Sequence, residues 1–274
     1  MNALTFEPTE AARIIASRDE AKGRAAALSE EAERVGAQVQ ARVQVTYDRA
    51  AVARGAGRRP ADGDGVHGVV AQLVRVSDGK HSNAIEMAAG GRLFNVVVED
   101  EKVGGALLSK GKLRRRITVI PLSKIRRGTL SASRVERARE ITGGRANPAI
   151  ELVAFGDEVR PAMEHVFGQH LICEDAAAAR RAAFDKGVQA KAVTLEGDVF
   201  DPSGVLEGGS RPSSGGVLEQ LAALAEVEQR RDAALAELKD AQGAAQEAER
   251  ARAEHSKATA NAEVAEHALS LARA

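Results

Sequence analysis

Two stretches of this chain hold residues whose types and spacing could do chemistry. The first is GKLRRRITVIPLSKIRR, residues 111–127, where Lys112, Arg114, Arg115, Arg116, Lys124, Arg126 and Arg127 give seven positive charges and no negative one. Cations so placed neutralise phosphate. With no aromatic in the stretch, they would hold a nucleic-acid backbone rather than stack on bases. A solvated strand edge and loop would also suit this composition. If the segment is extended from Arg114 onward, Arg115 points away from Arg114 and Arg116. The second stretch is VTLEGDVFDPSGVLEGGSR, Val193–Arg211, with glycines at 197, 204, 208 and 209 just before a helical pattern. Glycine permits positive φ and the close approach of another backbone. The run therefore reads either as a set of turns or as a surface where strands of two molecules meet.

Catalysis finds less support. A phosphate-binding loop needs GxxxxGK[ST]; Gly111-Lys112 is followed by Leu113 and Gly79-Lys80 by His81, and neither has the upstream glycine. Leu206-Glu207-Gly208-Gly209-Ser210 superficially resembles an ABC-type signature loop, but a helical pattern follows it instead of an apolar strand ending in Asp-Glu. The six histidines show no metal spacing, and His165 and His170 read as helix-end residues. Glu196 and Asp198 flank Gly197 in a turn, where Asp and Gly have local backbone reasons to occur. Ser109 and Ser123 have no base nearby in sequence. The single cysteine, Cys173, excludes an internal disulfide and a Cys-based zinc site, and reads as a small core residue. No catalytic residue, metal or cofactor is expected in this chain.

The elements that must position these stretches divide the chain in three. Lys plus Arg and Asp plus Glu are each 39, so the basic block is a concentration within a neutral chain. Aromatics are 3% with no Trp, too few for one compact core of 274 residues. Ile14, Arg18, Ala21, Ala25, Leu28, Ala32, Val35 and Val39 follow coiled-coil steps, as do Leu221, Leu224, Glu228, Arg231, Leu235 and Leu238. These seams predict two helical arms, paired antiparallel because the middle of the chain reverses its direction. No apolar run approaches a membrane span, and Met1–Pro8 lacks signal-peptide features, so a soluble, intracellular protein is expected.

The middle reads as alternating helix and strand. Helices are predicted at Ser82–Ala89, Val103–Lys110, Arg160–Phe167 and Ala176–Lys186, and strands at Leu93–Val98, Arg116–Ile120, Leu171–Cys173 and Ala192–Leu195. Arg54–Gly68 reads as a loop. The two similar passages predict two α/β subdomains with a boundary near residues 128–148.

The residues AIEMAAGGRLFNVVVED (84–100), LRRRITVIPLSKI (113–125), AMEHVFGQHLICED (162–175) and AFDKGVQAKAVTLEGDVFDPSG (183–204) carry a family resemblance. Over about residues 42–211 the chain resembles the hinge of SMC (structural maintenance of chromosomes) proteins, of the kind in the second SMC subunit of eukaryotic condensin. The resemblance implies a two-lobed α/β hinge (42–211) between coiled-coil arms (1–41 and 212–274). It implies dimerisation through glycine-bearing edges, with Gly204, Gly208 and Gly209 matching the family's glycine motif. A partner SMC subunit in a heterodimer, DNA contact and a nuclear, chromosomal location are implied too. ATP and Mg²⁺ would belong to head domains outside this chain. Glu207 departs from the family in replacing a small residue before the glycine pair, and Arg54–Asp64 is richer in Gly and Arg. A stand-alone coiled-coil adaptor reusing the hinge fold is the competing expectation.

Overall fold

A computed structural model describes residues 8–59, 63–209 and 215–273. The N-terminal residues 1–7, part of the Arg54–Gly68 segment and the expected arm boundary at 211/212 lie outside the described residues. The chain forms two units, one from residues 1–36 and 224–274 and the other from residues 37–223. Among the described residues, no helix is long and apolar enough to cross a membrane.

The first unit pairs helix α1 (Pro8–Val43) with helix α9 (Val217–Arg273). They run antiparallel: Arg18 reaches Glu249 at 3.1 Å, Arg24 reaches Glu237 at 3.3 Å, and Gly36 faces Leu224. On α1 the predicted seam is the covered one, with Ala21, Ala25 and Ala32 buried. On α9 Leu224 is buried and Leu221, Arg231 and Leu238 are half-buried as expected, but two of the expected seam positions shift by one residue. Val227 and Ala234 are buried, whereas Glu228 and Leu235 face outward. The alternative 3/4 phase sets Ala234 against the alanine-rich seam of α1 and leaves the bulkier Leu235 in solvent.

The second unit contains two small sheets. Strands β1 (Val66–Val69), β3 (Val96–Val98) and β4 (Val119–Pro121) lie in the order β1-β3-β4, with β1 antiparallel and β4 parallel to β3. A single helical turn, α3 (Val70–Leu73), follows β1, and helix α5 (Glu101–Lys110) is the crossover that a parallel pair requires. The other sheet is built from β5 (Ala146–Pro148), β7 (His170–Cys173), β8 (Lys191–Thr194), β9 (Val199–Phe200) and β10 (Leu206–Glu207). Their order is β10-β9-β8-β7-β5. Helix α8 (Ala176–Phe184) crosses between the parallel β7 and β8. A short ladder of β2 (Arg75–Val76) and β6 (Val153–Ala154) pairs the two halves of the sequence.

Both crossovers reuse one local device. Each parallel strand ends in Glu-Asp, and the aspartate caps the helix: Asp100 accepts from Val103 N at 2.8 Å, and Asp175 from Ala178 N at 2.7 Å. Apart from His170 these two strands are apolar, and Val96–Val98 and His170–Cys173 are wholly buried. The second core is built largely from alanines, Ala178, Ala179, Ala182 and Ala183 of α8 packing on Leu171, Ala192 and Phe200. That packing also explains the scarcity of aromatics, since small side chains let helix and sheet approach closely.

Helix α4 occupies Ser82–Ala89 and helix α7 Arg160–Phe167, as predicted. Elsewhere the boundaries move. The segment before Val96 is a 3-10 turn, Gly90–Phe94, and the expected strand from Arg116 begins only at Val119 and includes Pro121. The expected Arg54–Gly68 loop is entered by helix α2 (Arg49–Gly55) and by β1. The unanticipated helix α6 (Ala132–Thr142) is capped by Ser131 and stopped by Gly143 in the left-handed region. Phe167 is fully buried and Phe184 is 45% exposed. Phe167→Ala should therefore cost about 3–5 kcal/mol in urea unfolding, while Phe184→Ala should stay within about 0.5 kcal/mol of the parent.

Candidate functional site

The glycine-bearing run forms the hairpin of β9 and β10 at the rim of the larger sheet. Its turn is fixed locally: Ser203 N and Oγ both donate to Asp201 Oδ1, at 2.9 and 2.7 Å, and Gly204 N donates to Asp201 O at 2.9 Å. The Ser203 bonds, with the side-chain bond the larger cause, hold the Asp201 carboxyl below its ordinary range. Gly204 has φ +96°, a conformation that strains any residue with a Cβ. A Cβ on Gly208 would lie 2.6 Å from Asp198 Oδ1, the end of a side chain that can turn aside. A Cβ on Gly209 would meet nothing within 4 Å.

Strand β10 pairs only with β9 among the described residues, so its outer backbone edge is open. Beside that edge Val205 and Leu206 are 52% and 58% exposed. Helix α4 braces the rim from within, where Asn83 Nδ2 donates to Leu195 O at 3.2 Å. Next to this contact lies a cleft of 600 Å³, lined on one side by Met87, Arg92 and Thr118 and on the other by Lys191 and Glu207.

The basic block sits on both sides of β4, the rim strand of the smaller sheet, and all seven cations are exposed. The structure separates them by what they already touch. Lys112 Nζ lies 3.2 Å from Asp48 Oδ2, Lys124 Nζ lies 3.9 Å from Glu101 Oε1, and Arg115 Nη2 donates to Gln44 O at 3.1 Å. The bond from Ala51 N and then the Lys112 ammonium hold Asp48 below the usual carboxylate range. Arg114, Arg116, Arg126 and Arg127 make no ion pair or side-chain hydrogen bond among the described residues. Arg114, Arg115 and Arg116 share a shallow concavity of 580 Å³ with Leu108, Leu113 and Ile117.

His170 is not a helix-end residue but the first residue of β7, and it is buried. Arg92 Nη2 lies 3.0 Å from His170 Nε2, and Arg92 also donates to Ala88 O and Ala89 O at the end of α4. A guanidinium only donates, so Nε2 must accept and the imidazole stays neutral with its proton on Nδ1. Burial, then the charges of Arg92 and Lys191, push His170 down to about 4, against weaker opposing pulls from the Phe167 backbone and then from Asp201. Sequence reasoning missed this pair because Arg92 and His170 are far apart in the chain. Burial also pushes the Cys173 thiol up to about 12, and the described residues hold no group of three His, Cys, Asp or Glu able to bind a metal.

Fold and edges together define a two-lobed α/β module with open sheet rims, carried between antiparallel helical arms. Residues 63–183 match the family model described as the SMC proteins flexible hinge domain. Structural maintenance of chromosomes protein 2 of Schizosaccharomyces pombe is 47% identical over 158 residues, 57% of this chain and 14% of that protein. Structural maintenance of chromosomes protein 2-2 of Arabidopsis thaliana is 48% identical over 163 residues, 60% of this chain and again 14% of the relative. The Geobacillus stearothermophilus SMC hinge domain, solved as an asymmetric dimer, superposes with a TM-score of 0.63 at 25% identity, covering 89% of this chain and 97% of that one. Residues 63–183 are thus an SMC-type hinge domain, similar in sequence to the hinge region of the two protein 2 relatives. The matched stretch spans about 14% of the length of these curated relatives.

The buried histidine gives the fold a pH dependence of known sign. Below pH 6.5 the unfolded imidazole takes up a proton that the folded one accepts only near pH 4, so stability falls across that window. The loss should be about 3 kcal/mol. His170→Gln keeps an acceptor for Arg92 without titrating, and urea unfolding should show its curve flatter than the parent's by that amount.

Proposed function

We propose that this chain joins two SMC subunits, as the hinge of a condensin-type chromosome-organising protein, in the nucleus and on chromosomes. The open edge of β10 carries the reading, because an unpaired strand beside exposed Val205 and Leu206 is suited to adding a strand from a second hinge. In this reading Gly204 and Gly208 shape the rim, and Gly209 lies under the incoming backbone. The hinge itself performs no catalysis; ATP and Mg²⁺ act in head domains of the longer protein. The protein 2 relatives favour this over a free-standing adaptor.

Gly209 gives the cleanest test, since a side chain there meets nothing within 4 Å in its own chain. Gly209→Leu should leave circular dichroism unchanged and weaken association with a partner SMC hinge at least about tenfold, roughly 1.4 kcal/mol. Unchanged affinity by native mass spectrometry would contradict the placement.

The same proposal gives the hinge a sequence-independent contact with DNA through its exposed cations. Arg126 and Arg127 beyond β4 are free to bind, whereas Lys112, Arg115 and Lys124 already hold partners within the chain. Reversing Arg126 and Arg127 to Glu should weaken all duplex sequences alike. It should also make the slope of log affinity against log salt shallower by about 1.8, which a fluorescence titration at several salt concentrations would measure.

A further inference from the structure

Arg126 and Arg127, exposed and unpaired among the described residues, stand three and two residues before a hydroxyl, that of Thr129. We propose that Thr129 is a phosphate acceptor for a basophilic serine/threonine kinase. Its phosphate would then occupy Arg126 and Arg127 in place of DNA, a consequence that rests on the DNA contact proposed above.

Sequence is the first observation. Two adjacent arginines, then any residue, a threonine and an apolar residue make a pattern that a kinase with an acidic substrate groove can grip. The chain holds that pattern twice, as Arg115-Arg116-Ile117-Thr118-Val119 and as Arg126-Arg127-Gly128-Thr129-Leu130.

The fold distinguishes the two. Thr118 is exposed, but its carbonyl accepts from Val96 N at 2.9 Å, and the three residues after it form β4 against β3. Arg115, three residues before it, is already turned onto Gln44 O. Bringing Thr118 into a catalytic cleft would strip a strand from the smaller sheet and cost its hydrogen bonds.

Thr129 stands otherwise. It is exposed in a segment, 125–131, that has neither helix nor strand. Among the described residues, 126–130 make one backbone bond, Leu130 N to Gly168 O at 2.9 Å, and Leu130 is the one buried residue of the five. Lifting residues 128–130 into a kinase therefore opens one bond and one side chain, a local event far short of unfolding.

The step itself transfers the γ-phosphoryl group of ATP to Thr129 Oγ1. A bond forms from that oxygen to phosphorus and the bond to the bridging oxygen breaks. ADP leaves, and the hydroxyl proton passes to the kinase's carboxylate base. The product carries nearly two negative charges at pH 7 and three strong acceptor oxygens. Arg127 lies at most about 7 Å away along the backbone and Arg126 about 11 Å, so both guanidiniums can turn onto the phosphate. Cations engaged in this way no longer neutralise DNA phosphate.

The test treats the whole chain with ATP and cyclic-AMP-dependent protein kinase, a basophilic probe, and locates the phosphate by fragment mass spectrometry. Phosphate should appear on Thr129 and be missing from Thr129→Val, whose circular dichroism should match the parent's. Replacing Arg126 and Arg127 with Ala should slow incorporation at least about tenfold. The phosphorylated chain should bind duplex DNA at least about tenfold more weakly, with a salt slope shallower by about 1.8. Unmodified Thr129→Val should bind DNA as the parent does. No phosphate on Thr129, or phosphate on Thr118 in its place, would overturn the acceptor assignment. Phosphate on Thr129 with DNA affinity unchanged would overturn the masking of the arginines. A parent chain that binds no DNA would remove the DNA contact and leave the acceptor site standing.

Discussion

A strand at the rim of a sheet leaves one side of its backbone without a strand partner, and among the described residues β10 and β4 are two such rims, at one end of each sheet. Neither sheet is large enough to curl and close its edges, since one has three strands and the other five. Folded proteins usually blunt an exposed edge with charge, proline or a bulge. Here the β10 rim keeps Val205 and Leu206 exposed, and glycines rather than bulky side chains flank it. A rim left open in this way still has backbone groups able to accept a further strand.

The lobes are tied together by the β2–β6 ladder and by polar contacts of α4 and its trailing turn. Asn83 holds the Leu195 carbonyl in the turn before β9, and Arg92 bridges from the end of α4 to His170 at the start of β7. Glu86 accepts from Leu218 N at 3.3 Å, which places the first turn of α9 against the same helix. All three are polar contacts reaching across the cleft side of one short helix. Because the imidazole must stay neutral to accept from Arg92, the tie also sets a lower pH bound on the arrangement.

Much of this was legible in the sequence because it rests on local physics. Helices α4 and α7 follow from their apolar spacing and terminal glycines, and the α1 seam follows from its steps of three and four. Two positions of the second arm's seam shifted by one residue, at Glu228 and Leu235, because Ala234 and Leu235 are adjacent and either can continue the repeat. Only the alanines of the facing helix decide for the smaller residue. The glycine run marked the β10 rim, but it could not show that Gly208 lies beside the Asp198 carboxylate while Gly209 faces open space. Likewise the basic block was visible as composition, while its division was not. Lys112 finds Asp48, and Arg115 finds the carbonyl of Gln44, through contacts that only the folded chain creates.

That division changes what a cluster of seven cations can mean. A cation already paired within its own chain must give up that contact before it binds anything else, so it adds less to a new contact than an unpaired one. Counting charge in the block therefore overstates its capacity for phosphate. The unpaired guanidiniums fall into two groups, Arg114 and Arg116 before β4 and Arg126 and Arg127 after it, with the strand between them. The first group shares its concavity with Leu108, Leu113 and Ile117, an apolar floor that suits a protein edge. A phosphate backbone gains nothing from burying leucine and isoleucine. The rim strand thus divides one basic stretch into two parts of different character, and apolar neighbours accompany only the first.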